Sequence, residues 1–438
     1  MTRPQPSTRD PRPSASAGRS LPLLLGAVGG GAFLLTGGAL AIGARIMART
    51  PLLPQSSARA RADVMVRAAY PDRVHLDHTP ETARAGCLAL RQSGGAAHAR
   101  LGPVTGRPTP TTVSRPILAL DTAEPLVPGP ASTNGFFWPG TPASAHGIAF
   151  EDVEIASPVG PMPAWLVRPE PGRAADGAAG TWVILVHGHG ATRGEALRVI
   201  PLLRELGLTT LTITYRNDTG APASADSMHH LGAAEWEDAE AALAHALAAG
   251  AERVVLFGFS MGGGIALRTS VLSAHRGRIA GLILDSPAVD WRDILTYHAK
   301  AMRAPAPMRR LALWMMSSTL GRRLVRLHEP LALAEMHPAF YAEHLTHPAL
   351  LVHAREDSTV PLAPSRELAR LAPDLVRYVE VEGASHTREW NRDPAAYERL
   401  IAEHLVDLLG LDVDPAALRL PIRDPASPAG EGSTGERI

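Results

Sequence analysis

Ser260 lies in the run Gly258-Phe259-Ser260-Met261-Gly262, a serine flanked by glycines at G-x-S-x-G spacing. The apolar stretch Arg253–Phe257 leads straight into it, and a helix-like stretch starting at Met261 leaves it. The serine therefore falls in a sharp strand-to-helix turn. Such a turn strains the serine backbone, and a Cβ at 258 or 262 would collide with the neighbouring strand and helix, so glycine stands at both. A serine hydroxyl is a weak nucleophile until a base takes its proton. His386, in Gly383-Ala384-Ser385-His386, follows the apolar run Val376–Val381 and offers that base. Glu356 and Asp357, in the loop after Leu350–His353, offer a carboxylate to orient it. Serine, imidazole and carboxylate together can attack a carbonyl carbon, hold the acyl group covalently and release it to water. An earlier run, Val186-His187-Gly188-His189-Gly190, also ends a strand; its two histidines form a metal pair only with a third ligand, and none stands at helical or hairpin spacing.

Residues that meet in this way must be held by strand ends. From 147 to 410, strand-length apolar runs alternate with helix-period segments. Ile148–Ile155 and Ala164–Arg168 read as a hairpin. Trp182–Val186, Thr209–Tyr215, Arg253–Phe257, Ile279–Leu284, Leu350–His353 and Val376–Val381 read as further strands, with helices over 193–206, 232–249, from 261, 363–371 and 393–409 between and after them. Strands apolar on both faces, alternating with helices, predict a mostly parallel central sheet flanked by helices. Residues 288–346 are too many for an ordinary connection and read as an inserted helical cap. Its apolar residues, among them Met302, Met308, Leu313, Trp314, Met315 and Met316, have helical spacing that makes core packing the default. Their methionine content also suits an adaptable apolar wall over the site.

These pieces resemble the α/β-hydrolase superfamily, its serine aminopeptidase-like and esterase-like branch, and within it membrane-anchored bacterial hydrolases. The resemblance rests on the G-x-S-x-G turn, on the chain order Ser260, Asp357, His386, and on Ile213-Thr214-Tyr215-Arg216-Asn217, Leu284-Asp285-Ser286-Pro287 and Glu389-Trp390-Asn391. It covers about 147–410. The first loop is HGHG, a departure from the HGGG of the hormone-sensitive-lipase-like branch. The resemblance implies an α/β-hydrolase fold with Ser260 as nucleophile, His386 as general base and Asp357 as orienting acid. Asp357 is preferred to Glu356 because D-x-x-V-P is the usual phrasing of that loop. It also implies an oxyanion hole made by the backbone N–H groups of Met261 and His189. Asp285 is a second candidate acid, since some relatives use one at that strand end. Arg216 and Asn217 read as loop-fixing residues with substrate contact as the alternative, and His229 and His230 as solvated loop residues. The reaction implied needs no cofactor and no metal. Its substrate is an acyl ester, with peptide hydrolysis or acyl transfer as alternatives; a tethered, non-catalytic binding protein is the reading from another class.

The N-terminal part has a different character. Residues 1–19 form a basic tail. No charged residue stands between Arg19 and Arg45, and Ser20–Ala44 is long enough for one bilayer crossing. Residues 20–47 therefore read as a transmembrane helix or signal anchor in a bacterial plasma membrane. A signal peptide cut near Ala39-Leu40-Ala41 and a buried core helix are the alternatives. Arginines flank the segment on both sides, so the positive-inside bias leaves the side of the catalytic domain open; a simple signal anchor puts it outside. Residues 48–146, rich in Pro, Gly, Ala and Thr, read as a linker and small β-rich subdomain, and 411–438 as a tail without order. Lys plus Arg and Asp plus Glu balance at 43 each, which leaves no electrostatic footprint for nucleic acid. The only lysine is Lys300, a composition that fits a GC-rich bacterial genome. The only cysteine, Cys87, forms no internal disulfide and reads as a small buried residue.

Overall fold

The computed structural model describes residues 38–54, 62–92, 97–170 and 177–426. The expected anchor falls mostly outside them. Its last part is described, as helix α1 (38–49), and there the expectation needs correcting. Ala44 and Ala48 are fully buried in the main core, so this end of the apolar segment packs on protein. The small side chains allow it: Gly43 lies so close to Met308 that a Cβ there would come within 2.6 Å of its Cε. No helix among the described residues is long and apolar enough to cross a membrane.

Among the described residues, six strands close an antiparallel barrel: β1 (Val64–Ala69), β2 (Arg73–Asp77), β3 (Leu88–Gln92), β4 (His98–Leu101), β5 (Thr112–Leu120) and β6 (Gly129–Asn134), in the order β1-β2-β5-β4-β3-β6. Val64, Val66, Val74, Leu76, Leu88 and Leu90 fill its interior, and closure leaves no sheet edge open. A short helix, α2 (Pro142–His146), capped by Thr141, leads out of it.

Eight strands form the second sheet among the described residues: β7 (Glu151–Ser157), β8 (Gly160–Val167), β9 (Thr181–Val186), β10 (Thr209–Ile213), β11 (Arg253–Phe259), β12 (Ile279–Asp285), β13 (Ala349–Ala354) and β14 (Val376–Val381). Their order is β14-β13-β12-β11-β9-β10-β8-β7, parallel from β14 to β10, with β8 antiparallel to both neighbours. The interior strands β9 and β13 are buried at every position, as expected for a sheet covered on both faces. The covering helices are α3 (Ile200–Glu205), α4 (Trp236–Ala248), α5 (Met261–Leu272), α10 (Ala363–Leu371), α11 (Glu389–Arg392) and α12 (Pro394–Leu409). Between β12 and β13 stand α6 (Trp291–Ala301), α7 (Ala306–Ser317), α8 (Arg322–Val325) and α9 (Pro338–His344).

Three expectations are corrected here. The helix expected over 193–206 is a 3-10 turn, Arg193–Arg198, followed by α3, because Pro201 has no N–H and its ring clashes with the carbonyl four residues back. Residues 411–426 are not an unordered tail. Leu411 is buried, Leu418, Leu420 and Ile422 pack on the second core, and Ile422 N donates to Glu398 at 2.7 Å; residues 427–438 lie outside the described residues. His229 and His230 are buried, not solvated, because Glu235 and Asp226 provide partners for them.

Cys87 sits where barrel and sheet meet, its N–H donating to Asn391 O at 2.8 Å. Burial pushes its thiol up to about 12, so almost no thiolate exists at neutral pH. The native chain is expected to resist alkylation by iodoacetamide at pH 8 and to react once unfolded in guanidinium. Rapid native labelling would show that this junction opens.

Candidate active site

The serine turn forms because β11 runs into α5 with no room for side chains beside it. A Cβ at Gly258 would come within 2.2 Å of Gly262 O, and one at Gly262 within 2.1 Å of Val186 O. Ser260 between them has φ 51° and ψ −116°, a region that side-chain-bearing residues seldom occupy. Its N–H donates to Asp285 O at 2.9 Å and its carbonyl accepts from Ala288 N at 2.9 Å, so neighbouring backbone over-determines the strained residue.

His386, in the loop after β14, places Nε2 2.8 Å from Ser260 Oγ and Nδ1 2.6 Å from Asp357 Oδ2. Asp357, in the loop after β13, has its side chain fully buried. Its other oxygen accepts from Thr359 N at 2.7 Å and Val360 N at 2.8 Å. Burial alone would raise this carboxyl; hydrogen bonds from His353 and His386, with the adjacent imidazole charge, outweigh it and hold the group well below the usual carboxylate range. Glu356 points elsewhere and accepts from Gly383 N at 2.8 Å. Asp285 is fully buried but accepts from the Tyr397 hydroxyl at 2.7 Å. Behind it, burial and the Asp285 charge push the Glu389 carboxyl well up.

The HGHG loop after β9 lies against the serine. A Cβ at Gly188 would come within 3.1 Å of Ser260 Cβ. His189 lines one cavity with Ser260 and His386. Its imidazole is pushed down to about 4, by burial first and then by neighbouring His229, so it is neutral near pH 7. His187 is buried with Nε2 2.9 Å from Asp218 and its ring stacked on Tyr215. Among the described residues no group of three His, Cys, Asp or Glu side chains is placed to hold a metal. Met261 opens α5, where the first N–H groups have no intrahelical partner. Arg216 and Asn217 fix their loop: Arg216 pairs with Asp238 at 2.8 Å, and Asn217 donates to Met228 O at 2.8 Å.

Sequence reasoning missed several supporting residues. Glu195 accepts from Gly188 N at 2.8 Å and pairs with Arg198 at 3.2 Å, while Arg198 donates to Thr387 O at 2.6 Å. The two buried charges therefore tie the HGHG loop to the histidine loop. Glu81 reaches across from the barrel, accepts from Ser385 Oγ at 3.1 Å and pairs with Arg388. Glu195 and Arg198 are three apart in a helix-like stretch, and Glu81 lies in a segment without periodicity, so no local signal marked any of them. The cavity itself, about 620 Å³, is within the range of small-ligand sites. Trp291, Ile294, Leu295, Leu313 and Met316 of the cap form much of its wall, and Ile46 and Met47 of α1 form another part.

Residues 183–400 match the family described as the alpha/beta hydrolase family, and residues 65–134 match one described as a domain of unknown function. The chain matches no curated protein. Among solved structures, it is similar to an esterase of Pyrococcus furiosus, 18% identical, with 62% of this chain and 96% of that one covered and a TM-score of 0.47. An acylaminoacyl peptidase of Pyrococcus horikoshii is 18% identical, with 61% of this chain and 42% of that one covered and a TM-score of 0.46. A serine hydrolase homologue from Coxiella burnetii is 21% identical, with 58% and 97% covered and a TM-score of 0.39.

Proposed function

Since residues 183–400 belong to the alpha/beta hydrolase family, we propose that the protein is a serine hydrolase that cleaves acyl esters through a covalent intermediate. The observation that carries this reading is the hydrogen-bonded line Ser260 Oγ, His386, Asp357, with separations of 2.8 and 2.6 Å. Ser260 Oγ attacks the acyl carbon as its proton passes to His386 Nε2, and His386 then protonates the departing alkoxide. Water, deprotonated by His386, attacks the acyl carbon and frees the acid and Ser260. Asp357 holds the Nδ1–H tautomer and stabilises the imidazolium. The backbone N–H groups of Met261 and His189 receive the oxyanion; removing one such donor typically costs about 3–4 kcal/mol of transition-state stabilisation. The aliphatic wall favours an acyl chain over a peptide amine, which would have to shed its water against apolar side chains.

A fluorophosphonate probe added to the full chain is expected to modify Ser260 alone, read by peptide mass. A folded wild-type chain that takes up no probe would overturn the reading and favour the non-catalytic binding protein.

Glu81 is a positioning residue in this scheme, since it holds the histidine loop without touching the reacting atoms. Small displacements of a catalytic group are costly, so Glu81→Ala is expected to lower kcat by roughly 10- to 100-fold with KM little changed. Glu81→Gln, which can still accept from Ser385, should recover part of the loss. Equal losses in both variants, tracking a lowered Tm, would reduce Glu81 to a purely structural role.

A further inference from the structure

We propose that the cavity beside Ser260 is filled from the bilayer that holds the N-terminal segment, and that its substrate is the long-chain acyl ester of a membrane lipid. This rests on the serine-hydrolase reading and adds the substrate class and its route.

The wall of the cavity is the first observation. Gly43, Ile46 and Met47 of α1, with Thr50 and Pro51 just after it, line the same cavity as Ser260 and His386. The helix is fixed in that place: Arg45 Nε donates to Leu324 O at 2.7 Å, Arg49 donates to Val325 O, and His229 N donates to Leu52 O at 2.8 Å. The second observation is what precedes α1. Residues 20–37 are 18 in number and uncharged, within the span of about 17–25 residues that a bilayer crossing needs. At 1.5 Å per helical residue, Ile46 lies only about 14 Å along the chain from residue 37, so a bilayer holding that segment lies close to the cavity wall.

The third observation is the outer face of these elements. Ile42, Ile46, Met302, Trp314, Leu320 and Leu324 are exposed, five of them by 48–66%, on α1, at the end of α6, just before α8 and on α8. Scattered exposed apolar residues are ordinary, but a group gathered on adjoining elements marks an interaction surface. Ile46 and Met302 belong both to this face and to the cavity lining, so the cavity reaches the surface there. The occupant assigned to the face is the bilayer, because the uncharged residues 20–37 run directly into α1.

The chemistry agrees with that placement. A lipid acyl chain entering directly from a bilayer exchanges one apolar surrounding for another. A chain passing through water would pay about fourfold in equilibrium population for each methylene exposed. Hydrolysis consumes one water, breaks the acyl C–O bond, and returns a fatty acid and the lipid alcohol.

The test uses the full chain in phosphatidylcholine vesicles carrying 1,2-dioleoylglycerol, beside soluble p-nitrophenyl butyrate and a fluorophosphonate probe. The double variant Ile42→Asp, Leu324→Asp alters exposed residues outside the cavity. It is expected to keep probe labelling and butyrate turnover, and to lose oleate release from vesicles by on the order of tenfold or more. Equal oleate release by variant and wild type would overturn the proposal. So would a wild-type chain that labels and cleaves butyrate but releases no oleate, or a double variant whose only change is dissociation of a dimer in detergent. Absence of labelling in the wild type would instead remove the serine-hydrolase reading beneath it.

Discussion

The Ser260→Ala protein is expected to turn over any soluble ester on the order of 10⁶-fold more slowly than the wild type, with its fold unchanged. The loss is chemical. Ser260 Oγ is 2.8 Å from His386 Nε2, and no other hydroxyl is offered to that nitrogen among the described residues. Alanine keeps the Cβ that already tolerates φ 51° at this position, and the backbone bonds to Asp285 and Ala288 remain, so thermal unfolding should barely move. Groups that act as a unit are not additive: Ser260→Ala with His386→Ala should be no slower than either alone. A double variant slower than the singles by a further large factor would mean that His386 works on some other nucleophile.

Asp357→Asn is expected to lower kcat by about 10⁴-fold, again in a folded protein. One oxygen of Asp357 accepts from Thr359 N and Val360 N, and the other faces His386 Nδ1. An asparagine satisfies the two backbone donors with its carbonyl and so turns its NH₂ toward Nδ1. The imidazole must then carry its proton on Nε2, where it cannot accept one from Ser260. Stability carries a second signature. The folded Asp357 carboxyl lies below its unfolded value of about 3.9, so its contribution is present above that range and is lost as pH falls below it. The asparagine variant lacks this acid-sensitive contribution, and its Tm should fall less steeply below pH 4 than that of the wild type.

The hydrogen-bonded line of Ser260, His386 and Asp357 was legible in the sequence because each member follows a strand and the strands are marked by unbroken apolar runs. Gly258 and Gly262 announced the turn at Ser260 for a steric reason, and the structure supplies the colliding carbonyls, Gly262 O and Val186 O. The parallel sheet was legible for the same reason, since β9, β11 and β13 are apolar on both faces. What sequence could not show was contact between distant segments. The burial of His229 depends on Glu235, the order of residues 411–426 on the core built around Trp390 and Leu405, and the place of α1 on a cap 279 residues later. An apolar segment reads the same whether lipid or protein covers it. Only Ala44 and Ala48, buried on one side of a helix whose Ile42 and Ile46 face outward, separate the two.

The clasp between barrel and hydrolase lobe limits how this chain can be divided. Glu81, Gly86 and Cys87 of the barrel side meet Ser385, Arg388 and Asn391 on either side of His386. A fragment starting at residue 147 would keep Ser260, Asp357 and His386 but leave one flank of the histidine loop facing solvent. The barrel is therefore part of the scaffold that holds the histidine loop, and the two lobes are joined by side-chain bonds as well as by the chain itself.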